Sequence, residues 1–229
     1  MLHFTLDKAD TRPLPAHALV ERRAPRHDAT ALRLPPRSTL FLEGHDRAPQ
    51  YRVIEGCVAL SQSLPDGRRQ IIDMIGPGRL LGIGGGDHSR CSAETLSYVS
   101  LETIERIEHA DLEIDLKEML LRAQSHAILL GRKTANERVA SAILDLADQF
   151  VRPSRGRKRN TICFNLYPTR GDLADWLGLT IETVSRCFTR IKKAGLIDFT
   201  HPEIVTLLHR ETLAEIASGS RALDACNTL

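Results

Sequence analysis

Short apolar alternations broken by glycine fill the first half of the chain, and helical periods fill most of the second. Between Thr39 and about Ile107 the segments TLFLEG, YRVIEGCVALSQSLPDGRRQIIDMIGPGRLLG and CSAETLSYVSLETI alternate apolar with polar positions. Gly44, Gly56, the turn Pro65, Asp66 and Gly67, and the pair Gly76 and Gly78 divide them. Strands of about five to seven residues fit between these breaks, which predicts a small antiparallel sandwich or barrel. From Asp111 the apolar positions Leu112, Leu116, Met119, Ala123, Ala127 and Leu130 advance by 4, 3, 4, 4 and 3 residues. That is the repeat of one helix of roughly twenty residues with a long apolar seam. A seam of this length suits a copy of itself in a second chain, with packing on the chain's own β domain as the alternative. NERVASAILDLADQF, residues 136 to 150, predicts another amphipathic helix.

Further on, Leu173, Ala174, Trp176 and Leu177 predict a short helix beginning after Thr169 or Arg170. Gly178 ends it, and Thr180 is placed to cap a second helix with its hydroxyl. At about 100° per residue, Ser185, Arg186, Thr189 and Lys193 all fall within about 60° of Glu182. Val184, Phe188 and Ile191 take the opposite side, so one face is polar and the other core-forming. TICFNLY at 161 to 167, and LIDFTHPEIVTLLH at 196 to 209 with its break at His201 and Pro202, predict strands on either side of the helix pair. The unit is a winged helix-turn-helix. Its exposed face has the chemistry for base edges: Arg donates to guanine O6 and N7, Glu accepts from cytosine N4, and Ser does either. Two ordinary packed helices with a solvated face would give the same pattern.

The chain has 229 residues, enough for two domains that each bury a core, and its formal net charge is only +2. A nucleic-acid site must therefore be local. The run VRPSRGRKR, residues 151 to 159, carries five basic and no acidic side chains, and reads as a solvated loop or as a strip along phosphates. Residues 1 to 30, with Pro13, Pro15 and Pro25, read as a loosely ordered arm. No apolar run approaches the roughly 18 residues needed to cross a bilayer, and the start lacks a secretion signal, so a cytoplasmic protein is expected. The cysteines Cys57, Cys91, Cys163, Cys187 and Cys226 are too dispersed for a metal knuckle or a disulfide framework. The nine histidines form no HxxxH or HxH pair, and no metal site is expected. A cupin-like metalloenzyme built on the β domain would have only His45 and His88 to draw on. Cys187 has two readings. It is a small core residue, or it is a redox-regulated thiol activated by Arg186, Arg190 and Lys192. The other cysteines read as structural.

The order of glycine-punctuated β domain, long helix, ERVASAILDLA and YPTRGDLADWLGLTIETVSRCFTRIKKAGLI resembles the Crp/Fnr family of bacterial transcription regulators. The likeness covers nearly the whole chain after residue 30. ETVSR makes it most similar to the Fnr and FixK branch. The resemblance implies that Glu182, Ser185 and Arg186 read a half-site like TTGA, and that Thr169, Arg170, Thr180 and Thr183 contact phosphates. It further implies a homodimer on double-stranded DNA that works as an activator with RNA polymerase. Two features of the family are missing. No cysteine precedes Cys57, so an N-terminal cysteine cluster for an iron–sulfur centre is absent. Where cyclic-AMP receptors have Gly-Glu and Arg-Ser pairs, LLGIGGGDHSRCSAETL has Gly82 followed by Ile83 and Arg90 followed by Cys91.

The expected fold is α+β: an arm over 1–30, an antiparallel β-roll of cyclic-nucleotide-binding type over 31–110, a dimerisation helix over 111–133, and a winged helix-turn-helix domain over 134–229. The expected function is regulation of transcription from a palindrome like TTGA-N6-TCAA, read by the helix 180–193. No catalysis and no cofactor are expected, and the likeness to FixK implies control through how much protein is made. The alternatives are a regulator that responds to a cyclic nucleotide and, in a different class, the cupin-like enzyme.

Overall fold

The computed structural model describes residues 31–83, 86–152 and 162–223. The arm over 1–30, most of the basic run at 151–159, and Cys226 lie outside the described residues.

Eight antiparallel strands form a roll of two four-stranded sheets. One sheet has β1 (Leu32–Leu34), β8 (Val99–Ile104), β3 (Gln50–Glu55) and β6 (Leu80–Leu81) in that order. The other has β2 (Thr39–Phe41), β7 (Ser92–Thr95), β4 (Val58–Ser63) and β5 (Arg69–Ile75). Only β3, β4, β5 and β8 reach the expected lengths, at 6, 6, 7 and 6 residues. The others are shorter because the backbone stops them. Pro35 and Pro36 end β1, and β6 lies between Gly78 and Gly82, both at positive φ.

Alternation along β4 and β5 serves two cores at once. The paired Val58 and Ile75 point into the roll beside Val53, Leu81 and Leu101. The next pair, Ala59 and Met74, joins Cys57 and Ile71 in a second core shared with the helices. That core continues through Val139, Ile143 and Leu146 of α2 (Ala135–Gln149) into Leu173 and Leu177 of α3 (Arg170–Leu177). It ends on Val184, Phe188 and Ile191 of α4 (Ile181–Lys193). A three-stranded wing, β10 (Ile197–His201), β11 (Ile204–Leu207) and β9 (Ile162–Asn165), flanks the pair, followed by α5 (Arg210–Ser218).

The long helix α1 (His109–Arg132) joins roll to winged unit. Part of its polar surface faces inward. Arg122 bridges Asp73 of β5 and Asp145 of α2, at 2.6 Å to each. His126 stacks on Trp176 of α3 with the rings 6.2 Å apart, while Asp115 and Leu129 are buried. Of the apolar seam, Leu112, Met119 and Leu130 are half-buried and Leu116, Ala123 and Ala127 are exposed. Leu120 and Ile128, exposed at 60% and 58%, and Leu121 widen the stripe beyond the residues the spacing picked out. No helix among the described residues is long and apolar enough to cross a membrane.

Candidate nucleic-acid interface

Both helices of the pair begin at a threonine cap. Thr169 accepts from the Asp172 backbone N–H at 3.1 Å, and the Asp172 carboxylate accepts from the Thr169 N–H at 2.9 Å. This reciprocal box fixes the start of α3. Thr180 accepts from the Thr183 N–H at 3.2 Å and starts α4. Between them Gly178 turns at φ 61°, where an L side chain is strained, and an added Cβ would sit 3.2 Å from Leu130. Arg138 of α2 donates to the carbonyl of Leu177 at 2.9 Å and to that of Leu130 at 2.8 Å. One guanidinium thus satisfies carbonyls near the ends of α3 and α1.

With the caps set, α4 folds along the expected line. Val184, Cys187, Phe188 and Ile191 are buried; Glu182, Arg186, Thr189 and Lys193 are exposed and Ser185 is half-buried. The Glu182 carboxylate is held below its usual range by its own backbone N–H and the Thr180 hydroxyl, so it is an ionised acceptor at neutral pH. Arg186 reaches Thr183 Oγ1 loosely, at 3.4 Å, which leaves its fork of donors facing outward. Ile181, 53% exposed at the first position of α4, adds an apolar group beside this charged face. Sequence reasoning missed it because an isoleucine beside a cap looks like core.

The expected phosphate-side residues gather at the two helix starts. Thr169 and Thr180 are exposed capping groups, and the half-buried Thr183 donates its N–H to the Thr180 hydroxyl. The Arg170 guanidinium lies 3.6 Å over the Phe188 ring and 5.6 Å from Phe199. Burial lowers its pKa to about 10, so it stays cationic at neutral pH. Rings rather than an acid hold it, since no acidic partner reaches it among the described residues.

Of the two readings of Cys187, its surroundings favour the core residue over the activated thiol. Burial pushes its pKa up, and the pull of Arg190 and Arg186 in the other direction is smaller. The side chain is 4% exposed and belongs to the core stripe. In the roll, His88 lies 3.8 Å from Asp46 on the surface, and no group of three metal-ligating side chains forms among the described residues.

Residues 31–112 match the cyclic nucleotide-binding domain, and residues 137–216 match the Crp-like helix-turn-helix domain. The nitrogen fixation regulation protein FixK of Rhizobium meliloti is 31% identical over 187 residues, covering 80% of this chain and 85% of that protein. The transcriptional activatory protein AadR of Rhodopseudomonas palustris is 36% identical over 180 residues, 74% of each chain. The solved structure of FixK2 from Bradyrhizobium japonicum superposes with a TM-score of 0.72 at 29% identity, covering 82% of this chain and 96% of that one. Two domain matches in this order, joined by relatives above 30% identity over most of their length, place the chain in the Crp/Fnr family of DNA-binding transcription regulators, among its FixK-like members.

Proposed function

We propose that the protein is a homodimeric activator that reads a palindrome like TTGA-N6-TCAA through α4, with neither an iron–sulfur cluster nor a cyclic nucleotide. The observation that carries this reading is the exposed, capped face on which Glu182 and Arg186 lie one helical turn apart. Arg186 donates to guanine, Glu182 accepts from cytosine, and Ser185 supplements either contact. Ile181 supplies apolar contact to a thymine methyl. Thr169, Arg170, Thr180 and Thr183, grouped at the two helix starts, take phosphates, where backbone N–H groups also favour an anion.

Dimerisation is assigned to the outward stripe of α1, where Leu116, Leu120, Ala123, Ala127 and Ile128 lie open on a single chain. Half-sites of the TTGA-N6-TCAA type are about 10 base pairs apart, one turn of DNA, which suits a twofold dimer. Activation through RNA polymerase draws on the activatory role in the name of AadR. The apolar Ile83 after Gly82 cannot accept from ribose hydroxyls, which argues against a cyclic nucleotide in the roll. Titration of the protein with a TTGA-N6-TCAA duplex and with singly substituted duplexes tests the reading. Preference for the intact palindrome is expected, and equal binding to all of them contradicts it.

A further inference from the structure

Two arginines of the roll converge on one carboxylate of α3. Arg37 donates to Asp172 with both terminal nitrogens, at 3.0 Å and 2.7 Å. Arg69 donates to Asp172 at 2.9 Å and, through Nε, to Asp175 at 2.9 Å. Glu94 of β7 ties the arginines together, 3.4 Å from Arg37 and 3.0 Å from Arg69. Beside them Gln70 donates to the carbonyl of Trp176 at 3.2 Å. The Asp172 side chain is 2% exposed. Burial alone would raise its pKa, yet hydrogen bonds from Arg37 and Thr169 hold it well below the usual carboxylate range.

The backbone carries an independent sign. Arg37 stands at φ 64°, the sole positive φ among the described non-glycine residues. Longer side chains rarely adopt that conformation, and it persists where the surroundings impose it. Here they do: Arg37 N–H donates to Thr95 O at 2.8 Å, and the Thr95 hydroxyl donates to Pro35 O at 2.7 Å. The roll thus aims Arg37 at α3 from a fixed turn.

Asp172 has a second duty, as the capping-box partner of Thr169 next to Arg170. Unpaired, its charge would sit beside the groups assigned to phosphates and repel the phosphates themselves. We propose that Arg37 and Arg69 are positioning residues for DNA binding. By neutralising and holding Asp172 they fix the phosphate-facing start of α3, so DNA affinity depends on a contact from the roll. This rests on the DNA-binding reading above and extends it to residues far from the recognition helix in sequence.

The test is the full-length Arg37→Ala/Arg69→Ala protein, titrated with the palindrome and with a scrambled duplex at several salt concentrations. Unfolding curves and the emission of Trp176, the single tryptophan, are recorded in parallel. A folded variant should bind both duplexes about tenfold more weakly, because the loss falls on phosphate contacts. Its Trp176 emission should move to the red without DNA, and Arg37→Lys/Arg69→Lys should recover part of the affinity, since charge returns without the fork. A lower unfolding midpoint with unchanged affinity in the folded protein overturns the proposal, leaving the cluster purely structural. Tighter binding also overturns it, since the contact would then restrain the helix pair. If the double variant does not fold, Arg37→Ala alone, whose side chain is 43% exposed, decides: weaker binding supports positioning and unchanged binding refutes it. Wild-type protein that binds palindrome and scrambled duplex alike counts against base reading, and the wild-type-to-variant ratio on the scrambled duplex still decides the positioning role.

Discussion

The helices α1 and α4 are both amphipathic and are built the opposite way round. In α4 the apolar side, Val184, Cys187, Phe188 and Ile191, goes into the core, and the charged side meets solvent. In α1 a charged cluster goes inward beside the buried Leu129, with Arg122 between two aspartates, while Leu116, Leu120 and Leu121 meet solvent. Apolar surface left in water forfeits about 25 cal/mol per Å². An outward stripe such as that of α1 gains from a second apolar surface, whereas the outward face of α4 gains from a polyanion. Burial has to be read with residue type before a partner is assigned to a face.

Three perturbations of α1 test this contrast, beginning with the largest. Leu116→Glu/Ala123→Glu places charge on the outward stripe of α1 without touching α4. Monomers should sediment, and palindrome binding should fall by about 10²–10⁴-fold, the factor contributed by linking two half-site contacts. A variant that still sediments as a dimer would remove the role given to this stripe. Next comes the inward side of the same helix. Arg122→Ala leaves Asp73 and Asp145 facing a buried gap and should cost about 3–5 kcal/mol in urea unfolding. A cost within the range of surface changes, below about 0.5 kcal/mol, would mean that water already screens the network.

The smallest effect is one of pH. His126 is packed against Trp176 with its Nε2 buried and unpartnered among the described residues, and burial lowers its pKa. The unfolded chain therefore binds more protons just below the ordinary value of 6.5, so stability drops as pH falls from there. Asp73 behaves as the carboxylate counterpart at lower pH. Burial pushes it up, Arg79 and Arg122 outweigh that and hold it at about 2, and its contribution is lost as pH falls from about 4 towards 2. His126→Phe keeps a ring on Trp176 and should flatten the first drop alone. Unchanged pH dependence between 7 and 5 would locate that drop elsewhere.

How much was legible in the sequence differs between the same two helices. The cap at Thr180, the turn at Gly178 and both faces of α4 follow from local spacing, because capping and helical period act within a few residues, whereas the start of α3 was narrowed only to Thr169 or Arg170. The seam of α1 was legible as a repeat, but its full width was not, since Leu120, Leu121 and Ile128 each lie one or two positions after a seam residue. The choice between the two readings of Cys187 needed the structure, because nearby arginines are visible in sequence, whereas burial, the stronger influence, is not. The contacts of Asp172 with Arg37 and Arg69 span 135 and 103 residues and leave no local pattern. Only the fold brings them together.

The central claim is that α4 reads bases while the start of α3 holds phosphates. Wild type, Arg186→Ala and Arg170→Ala titrated against the TTGA palindrome and singly substituted sites, at several salt concentrations, test it most directly. Arg186→Ala should lose about 1–3 kcal/mol of preference for the G·C pair of the half-site and keep its salt dependence nearly intact. Arg170→Ala should weaken binding to every sequence about equally and flatten the salt slope by roughly one contact. If Arg186→Ala ranks the sites as the wild type does, the exposed face of α4 does not read bases.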